Sequence, residues 1–520
     1  MAQPPEVSGG SPDVAWSPCV GTSGWCSAVG EAVVWCLVLV VPGWVGRILF
    51  STQFATTFPR EARWVWGAWL AWCLVAVASW YWLPAALPAW VAAVALGCLA
   101  LMAVDWRSRR DARGTPPGRL SVLDGIGALV DRGYYLRNFE RLGPLFKMSQ
   151  FGTPTICVLG LDRIEKLIKG HAASLGPSTL PISNGVEGNF LRYMPPETHG
   201  LYGRLFRRAM SGPFSPHQAG PVAQICHSQI RQLVGRASNP VPVLQAIARL
   251  SLNHLLLGLD PTSSAGQRFD ELARGFATAG IGWSLGRRDQ RALEEMRQIL
   301  SAQVEREATA EGNTATPPSV MLRLRHQDPQ MPDRVCLDNL IVMHRIATGN
   351  VSSLLGWLLY RWGTESDIVA EVRATPAGDS AGSLRTFLLE TLRTSQSEYL
   401  YRRVAHEFEF EGWRFPQGWL LRGCVWESHR TSAVIAEPEG FRLRQEPLAY
   451  DRRHFTPLGM GAHACNGGDI NELICLTFLE ELRHASHVRV VHGEPLQRQT
   501  RHWSHWQPNQ ALRVTVELGP

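Results

Sequence analysis

The chain has 520 residues, more than three times a typical domain of about 150 residues, so it can bury a large core. Apolar residues make up 45% and charged residues 18% of it, which excludes a mainly disordered chain. The net charge of +6 is the balance of 48 Arg and 3 Lys against 45 acidic residues. No basic run is interleaved with aromatic residues, so a nucleic-acid partner is not indicated. The 11 cysteines include no C-x-x-C pair, which argues against a disulfide framework or a zinc ribbon.

The N-terminal part of the chain is apolar and rich in tryptophan, with 12 of the 20 tryptophans in the first 106 residues. No charged residue occurs between residues 64 and 104, a stretch about twice as long as the ~20 residues of a membrane-spanning helix. Pro84 and Pro88 would divide it into a helical hairpin. For a weaker apolar segment before it a signal peptide is the alternative, but no Lys or Arg precedes that segment. We predict a tail over 1–31, a membrane anchor over 32–104 with spans about 32–50, 64–83 and 85–104, a basic Pro/Gly linker over 105–119 and one large domain over 120–520.

Arginines flank this apolar stretch on both sides, whereas residues 1–30 and the 83–90 turn carry no basic side chain. By the positive-inside rule, the hairpin turn lies outside and the large domain lies in the cytoplasm. The sequence therefore predicts an integral membrane protein with its large domain on the cytoplasmic side.

Helical periodicity dominates the large domain between residues 160 and 400. A strand pair precedes this region, over 146–150 and 155–159. A strand hairpin over 405–411 and 414–423 follows it, and an apolar helix over 469–483 comes later. The clearest helical patterns cover 221–256, 267–280, 287–312, 334–362 and 383–394.

The most informative segment is the Gly-rich loop over residues 455–467, FTPLGMGAHACNG. It places Cys465 just before a predicted helix, where backbone amides favour a thiolate, and a thiolate there can be the fifth ligand of a haem iron. Three other interpretations stay open. A nucleotide-binding loop would have Ala464 at the last glycine of G-x-G-x-x-G, and a zinc site of His463 and Cys465 lacks two further ligands. A buried structural cysteine in a turn is the third.

The spacing of this loop resembles the cysteine-ligand loop of the cytochrome P450 haem-thiolate monooxygenases, and other motifs follow the order of that family. Glu390-Thr-Leu-Arg393 resembles the Glu-x-x-Arg pair of the family's helix K, in which the two side chains share one helical face. Residues 195–208 resemble the helix-C segment, and residues 348–353 fall where helix I passes over the iron. The resemblance covers roughly residues 116–517. It implies a mainly α cytochrome P450 fold with a minor β region, preceded by two to three transmembrane helices. The chain would then be a divergent bacterial-type member of the family with an N-terminal membrane anchor.

The resemblance also implies roles for individual residues. Cys465 would be the axial ligand of the haem iron, and Glu390 and Arg393 would form a structural lock. Arg402 and Arg403 could equally be a solvated pair before a strand. The residues implied in haem binding are Cys465, His463, His199, Arg204, Arg402, Arg403, Gly459, Gly461 and Gly467, and those implied in catalysis are Ser352, Asn350 and Gly349.

The sequence departs from the family pattern at several positions. Ser352 stands where threonine is usual, and Val351 stands at the usual helix-I acid. The proton path would then run through Ser352 and solvent or through the substrate itself, unless Ser352 only bonds back to its own helix. Leu458 replaces the phenylalanine that normally shields the sulfur. The third member of the lock aligns nearest Gln445, which leaves Arg442 or Arg444 as substitutes.

The function implied by the resemblance is a monooxygenase that inserts one oxygen atom from O2 into a lipophilic small molecule. The implied cofactor is haem b (iron protoporphyrin IX), and electrons from NAD(P)H would arrive through a ferredoxin or flavoprotein reductase. Two alternatives stay open: a haem-thiolate enzyme that catalyses a non-hydroxylating rearrangement, dehydration or coupling, and a degenerate haem-binding membrane protein. Membrane lipid is a further expected partner, and nucleic acid is not expected.

Overall fold

The fold is that of a computed structural model, which describes residues 113–120, 128, 131–150, 153–177, 182–183, 190–191, 194–212, 216–275, 283–284, 287–310, 319–376, 380–396, 399–444, 450–451, 453–492, 497–498, 506–507 and 512–518. Helices predominate in these ranges. The helices are α1 (Tyr134–Leu142), α2 (Leu161–Gly170), α3 (Pro196–Met210), α4 (Pro216–Ile230), α5 (Val241–Leu257), α6 (Ser264–Gly275), α7 (Arg287–Ala310), α8 (Val320–Gln327), α9 (Asp333–Thr364), α10 (Ser366–Ala374), α11 (Ser380–Ser395), α12 (Val425–Arg430) and α13 (Gly468–His484).

The strands are short and form one five-stranded sheet and several two-stranded pairs. The large sheet has the order β1-β2-β9-β6-β3, in which only β2 and β9 run parallel. The strands are β1 (Leu145–Gln150), β2 (Thr153–Val158), β3 (Leu175–Pro177), β4 (Ile182–Ser183), β5 (Trp283–Ser284), β6 (Tyr399–Val404), β7 (Phe408–Phe410), β8 (Trp413–Phe415), β9 (Leu420–Cys424), β10 (Ala485–His492), β11 (Gln497–Arg498), β12 (Trp506–Gln507) and β13 (Arg513–Leu518).

Helix α9 is the longest described helix and the axis of the main core. Its 32 residues span about 48 Å, and it packs against α5, α11, α13 and β10. Trp357, in its C-terminal half, is among the largest fully buried side chains. A helix enclosed in this way is apolar around most of its circumference, as the run from Leu354 to Leu359 shows.

The predicted helix over 221–256 is two helices in the structure. Helix α4 ends at Ile230, and α5 begins after Pro240, which lacks the N–H that a continuing helix would need. Between them, the N–H groups of Gly235 and Ser238 donate to the carbonyls of Val516 and Val514 in β13. The sequence pattern therefore missed a segment whose backbone pairs with a distant strand.

The predicted hairpin over 405–423 is also built differently. Of the strands within residues 405–423, only β7 and β8 form a hairpin, and its turn residues Glu411 and Gly412 both have positive φ, as a tight primed turn requires. Strand β9, predicted as the returning arm, instead pairs with β2 and β6.

The Pro/Gly segment before the first helix contacts the domain. The N–H of Arg414 donates to Gly114 at 2.8 Å, and the N–H of Lys147 donates to Pro117 at 2.8 Å. Gly118 has a φ of +127°, and a Cβ at this position would lie 2.1 Å from the carbonyl oxygen of Lys147, so only glycine fits. The described end of the predicted linker is thus attached to the sheet, and the predicted boundary at residue 120 stays a prediction.

The prediction of an integral membrane protein needs a correction. Among the helices in the ranges given above, none combines the length and apolarity of a membrane span. Even α9 carries charges along its length, among them Asp338, Arg345 and Arg361. The prediction of an integral membrane protein with a cytoplasmic catalytic domain, and of a fold preceded by transmembrane helices, is therefore wrong for the part of the chain that the structure describes. The predicted tail and spans over 1–104 lie outside the described residues.

A buried carboxylate joins α11 to the irregular segment that leads into the cysteine loop. Glu390 and Arg393 are both 0% exposed and form a bidentate pair, with Nη2–Oε1 at 2.6 Å and Nε–Oε2 at 2.8 Å. Arg444 is the third member, because its Nε lies 3.2 Å from Oε1 of the same carboxylate. Arg442 instead pairs with Glu437, and Gln445 lies outside the described residues.

The two arginines also hold the segment that follows α12. Arg393 donates to the carbonyls of Pro438 and Gly440, and Arg444 donates to those of Ala436 and Glu437. These carbonyls belong to a stretch without regular structure, so the guanidinium groups replace the backbone partners that a helix or strand would supply. We call Glu390, Arg393 and Arg444 the buried lock.

We expect Glu390→Gln to lower the free energy of unfolding by about 3–5 kcal/mol, because it leaves two buried guanidinium groups without a counter-charge. Urea unfolding followed by circular dichroism measures the loss. The control is Glu271→Gln, which removes the carboxylate of an exposed i,i+3 pair with Arg268 and should cost no more than about 1 kcal/mol. Equal losses for the two variants would contradict a special contribution of the buried lock.

Candidate active site

The loop before α13 has a defined backbone conformation that its glycines permit. Gly459 and Gly461 have φ values of +76° and +70°, which disfavour residues with a side chain. The Gly459 N–H donates to the Thr456 carbonyl, and the Cys465 N–H donates to the Leu458 carbonyl at 2.8 Å. Gly467 has a negative φ and is the N-cap residue of α13. The loop therefore closes on itself and presents Cys465 just before the helix.

Cys465 differs from the other cysteines in the described ranges. It is exposed, whereas Cys157, Cys226, Cys336, Cys424 and Cys475 are buried. Burial nevertheless raises the pKa of its thiol, while a hydrogen bond from the Gly467 N–H acts in the opposite direction. The exposure of the residue and the desolvation of its thiol are compatible if protein atoms surround the sulfur and solvent still reaches part of the residue. The expectation that helix amides would favour the thiolate is thus outweighed by desolvation.

Two histidines and an arginine lie beside the loop. The rings of His199, in α3, and His463, in the loop, have centroids 4.3 Å apart. Arg402, in β6, is buried and places Nη2 3.5 Å from the Met460 carbonyl. Burial, and then Arg207 and Arg402, lower the pKa of His199. The structure therefore brings three predicted residues together in a cluster of positive charge and N–H donors.

The alternation of β6 separates the two predicted arginines of that strand. Leu400, Arg402 and Val404 are buried on one face, and Arg403 is half-buried on the other. Only Arg402 is among the charges that act on His199. The strand therefore directs one arginine of the pair towards the histidine cluster.

On α3 the structure favours an arginine that the sequence reasoning did not select. Arg207 donates from Nη2 to the Ala462 carbonyl in the loop at 3.3 Å; the predicted Arg204 is exposed on the same helix, as Arg207 is. At 100° per residue, Arg207 lies about 80° around the helix from His199 and Arg204 about 140°. The helical angle was the signal that could have identified Arg207.

The predicted catalytic residues lie in an unbroken part of α9. The Ser352 hydroxyl donates to the Gly349 carbonyl at 3.1 Å, which is the back-bonded alternative noted from the sequence. A Cβ at Gly349 would meet no atom within 4 Å. Asn350 is exposed and its carbonyl accepts a bond from Gln396 Nε2 at 3.1 Å, whereas Val351 is only 4% exposed and belongs to the core. The side chain at the usual acid position is thus apolar and buried.

This donor set is chemically suited to a haem with a sulfur ligand. An accessible thiol can supply a soft ligand to iron, and guanidinium and imidazole N–H groups bind carboxylates. Ile346 of α9 and Leu458 of the loop are exposed apolar side chains on two of the implicated segments, as an apolar macrocycle requires. The residues present therefore fit the group that the loop motif implies.

The site also contains residues that the sequence did not reveal. Gln396 reaches α9 from the end of α11, and His429 of α12 accepts a bond from the Thr456 N–H at 3.2 Å. Each contact joins residues far apart in the chain, so no local spacing indicates it.

Comparisons with known proteins give distant relatives. No family model matches the chain. Abscisic acid 8'-hydroxylase 2 of Arabidopsis thaliana is 20% identical over 427 residues, which cover 75% of this chain and 87% of the relative. Cytochrome P450 26C1 of Mus musculus is 24% identical over 401 residues, which cover 66% of this chain and 76% of the relative.

A solved structure supports the same fold. The retinoic acid-bound cyanobacterial CYP120A1 aligns with a TM-score of 0.62 and 18% identity, over 78% of this chain and 99% of that chain. The mainly α fold with a minor β region is thereby confirmed as the cytochrome P450 fold. The plant and mouse relatives do not support the prediction of a bacterial-type member with a membrane anchor. The relatives confirm the prediction of an enzyme of the oxidoreductase class, because they are a hydroxylase and a cytochrome P450.

Proposed function

We propose that the protein is a haem-thiolate monooxygenase in which Cys465 is the axial ligand of the iron and a lipophilic small molecule is the substrate. The observation that carries this proposal is the closed loop over 456–467, which presents one accessible cysteine beside a cluster of His199, His463 and Arg402. When bound, a haem with a sulfur ligand supplies the activation of O2 and the transfer of one oxygen atom. Electrons from NAD(P)H would reach it through a ferredoxin or flavoprotein reductase.

In this proposal, residues of the chain itself bind the haem and stabilise negative charge on the Cys465 sulfur. Burial disfavours the free thiolate of Cys465, so a metal ion that binds the sulfur must displace its proton. The Gly467 N–H stabilises negative charge on the sulfur once it forms. The cationic cluster and Arg207 offer N–H donors to the two carboxylates of the porphyrin.

The lipophilic substrate rests on the character of the relatives and of the implicated segments. One relative is named for its action on abscisic acid and the solved structure is named for bound retinoic acid, both apolar molecules with a carboxylate. Ile346 is exposed on α9, the helix that would pass over the iron. An apolar small molecule is the substrate class that such a surface binds.

Proton delivery is the step at which this chain differs from its family. Val351 has no proton to give and Asn350 has a neutral amide, so Ser352 Oγ is the only hydroxyl at the three positions 350–352. To relay a proton, it must exchange its bond to the Gly349 carbonyl for one to solvent or substrate. Gly349 leaves room beside the helix for a water molecule.

A second candidate function is favoured by the same feature. Because the buried Val351 replaces the acid, the enzyme could rearrange, dehydrate or couple its substrate without ordinary oxygen activation. Turnover that proceeds without O2 and without reductant, and a product that takes up no label from labelled O2, would identify this function.

We expect the reduced wild-type protein with carbon monoxide to show the red-shifted Soret band that thiolate ligation produces. Cys465→Ala should lose this band, because the sulfur ligand is gone. Cys226→Ala, which alters a buried cysteine of α4, is the control and should keep it. A wild-type band typical of histidine ligation, or an unchanged band in Cys465→Ala, would refute the haem-thiolate proposal.

We expect Arg402→Leu to weaken haem retention by about tenfold to a hundredfold, the effect of losing one charge-assisted hydrogen bond. The rate at which haem transfers to an excess of apomyoglobin measures this. Arg403→Leu is the matched control, because it removes the same charge from the opposite face of β6. Faster transfer from the Arg403 variant would show that the wrong arginine has been assigned.

We expect Ser352→Ala to slow product formation by about tenfold to a hundredfold and to release more peroxide for each NADPH consumed, because protons would reach bound oxygen more slowly. The assay uses a surrogate ferredoxin system and a lipophilic substrate found by its spin-state shift of the Soret band. Ser353→Ala is the control, since this neighbouring hydroxyl is buried without a hydrogen-bond partner. Identical coupling in the two variants would refute the relay.

A further inference from the structure

His429 holds the first residues of the cysteine loop through two contacts. Its Nε2 accepts the Thr456 N–H at 3.2 Å, and its ring stacks on Phe455 with centroids 5.4 Å apart and planes 28° apart. His429 and Phe455 are both buried. The loop therefore begins on a fixed surface.

The same histidine is attached to the buried lock. Arg393 Nη1 donates to the His429 carbonyl at 3.4 Å. A second route reaches the same point, because the Tyr450 hydroxyl lies 3.4 Å from Glu390 Oε2 and its ring packs edge-on against Phe455 at 5.2 Å. Phe455 thus contacts the rings of two residues that are each hydrogen-bonded to a member of the lock, His429 through its backbone carbonyl and Tyr450 through its hydroxyl.

Two further hydrogen bonds within the loop connect the part that contains Thr456 to Cys465. The Thr456 hydroxyl donates to the Gly459 carbonyl at 2.9 Å, and the Cys465 N–H donates to the Leu458 carbonyl at 2.8 Å. A displacement at Thr456 is therefore transmitted to the residue that carries the sulfur. His429 itself does not contact Cys465 in the hydrogen bonds and ring contacts described for the two residues.

The ring has the protonation state that this contact needs. A nitrogen that accepts a hydrogen bond carries no proton, so the ring is the neutral Nδ1–H tautomer. Burial, and then the neighbouring Arg393, lower the pKa of His429 to about 3. The acceptor is thus present at neutral pH, and Nδ1 is buried without a hydrogen-bond partner, a cost that the Thr456 contact offsets.

We infer that His429 is a positioning residue for the thiolate ligand: its Nε2 fixes Thr456 and so transmits the rigidity of the buried lock to Cys465. This inference rests on the proposed haem-thiolate function and adds to it a residue that acts on the ligand without touching it. It predicts that the hydrogen-bond acceptor is what matters, more than the aromatic ring or the volume of the side chain.

Three substitutions separate these properties. His429→Gln keeps an acceptor at nearly the reach of Nε2 without the ring, and His429→Asn carries the same amide on a side chain too short to reach Thr456. His429→Phe keeps a ring for Phe455 and has no acceptor. His344→Phe is the control for the loss of a buried neutral histidine, because burial lowers the pKa of His344 to about 4 and its ring packs in the core against Phe269.

Two measurements are made on each protein. The first is the fraction of the reduced carbon monoxide complex that shows the red-shifted thiolate band. The second is the hydrogen exchange of residues 455–460, which can be followed with and without haem. We expect His429→Asn and His429→Phe to exchange about tenfold faster there and to lose several-fold in thiolate fraction, whereas His429→Gln and His344→Phe resemble the wild type.

Each other outcome overturns the inference in a defined way. If His429→Phe and His429→Asn match the wild type, the acceptor positions nothing, and either variant alone decides this should the other not fold. If His429→Gln loses as much as His429→Asn, an acceptor at this position does not suffice and the inference is wrong. If His344→Phe loses the thiolate band equally, the effect is general destabilisation. A wild type without the band refutes the proposed function, and exchange in the haem-free proteins then still tests the contact.

Discussion

The structure around the candidate site depends on one buried carboxylate. Glu390 is inaccessible to solvent and is shared by Arg393 and Arg444, so its removal would leave two buried guanidinium groups without a counter-charge. The arginines in turn hold carbonyls of a segment that has no helix or strand partners of its own. A long irregular stretch thereby acquires a fixed path, and the cysteine loop follows from its end.

The cysteine loop is held by many contacts, whereas several of its side chains remain accessible to solvent. Glycines with positive φ, backbone bonds within the loop, and side chains from α3, β6 and α12 all hold the loop, while Cys465, His463 and Leu458 remain exposed. Desolvation raises the pKa of the Cys465 thiol and the nearby charges are positive, so the surface around the sulfur suits a ligand that brings both a metal ion and negative groups. Such preorganisation lowers the cost of ordering the site on binding.

The sequence was informative where chemistry and spacing are local. The loop around Cys465 is contiguous, and Glu390 and Arg393 are three residues apart on one helix, so both could be read directly. Arg444 could not be separated from Arg442, because the segment has no periodicity to show which side chain points inwards. The pairing of β9 with β2, and the contacts of Gln396 and His429, join distant residues and left no local pattern. The position of Arg207 on the same side of α3 as His199 could have been predicted from the helical angle.

The position of β9 in the large sheet affects how the protein is made. Strand β2 is buried along its whole length and pairs in parallel with β9. Residues 155–158 therefore cannot form these backbone hydrogen bonds until residues 420–423 have been synthesised. During synthesis the β1–β2 hairpin is therefore left with one apolar edge unpaired while the residues between β2 and β9 are added. An unpaired apolar edge invites association with other chains. The time for which the β2 edge remains unpaired therefore determines how much nascent protein aggregates. The stability of the finished fold has less influence on that loss.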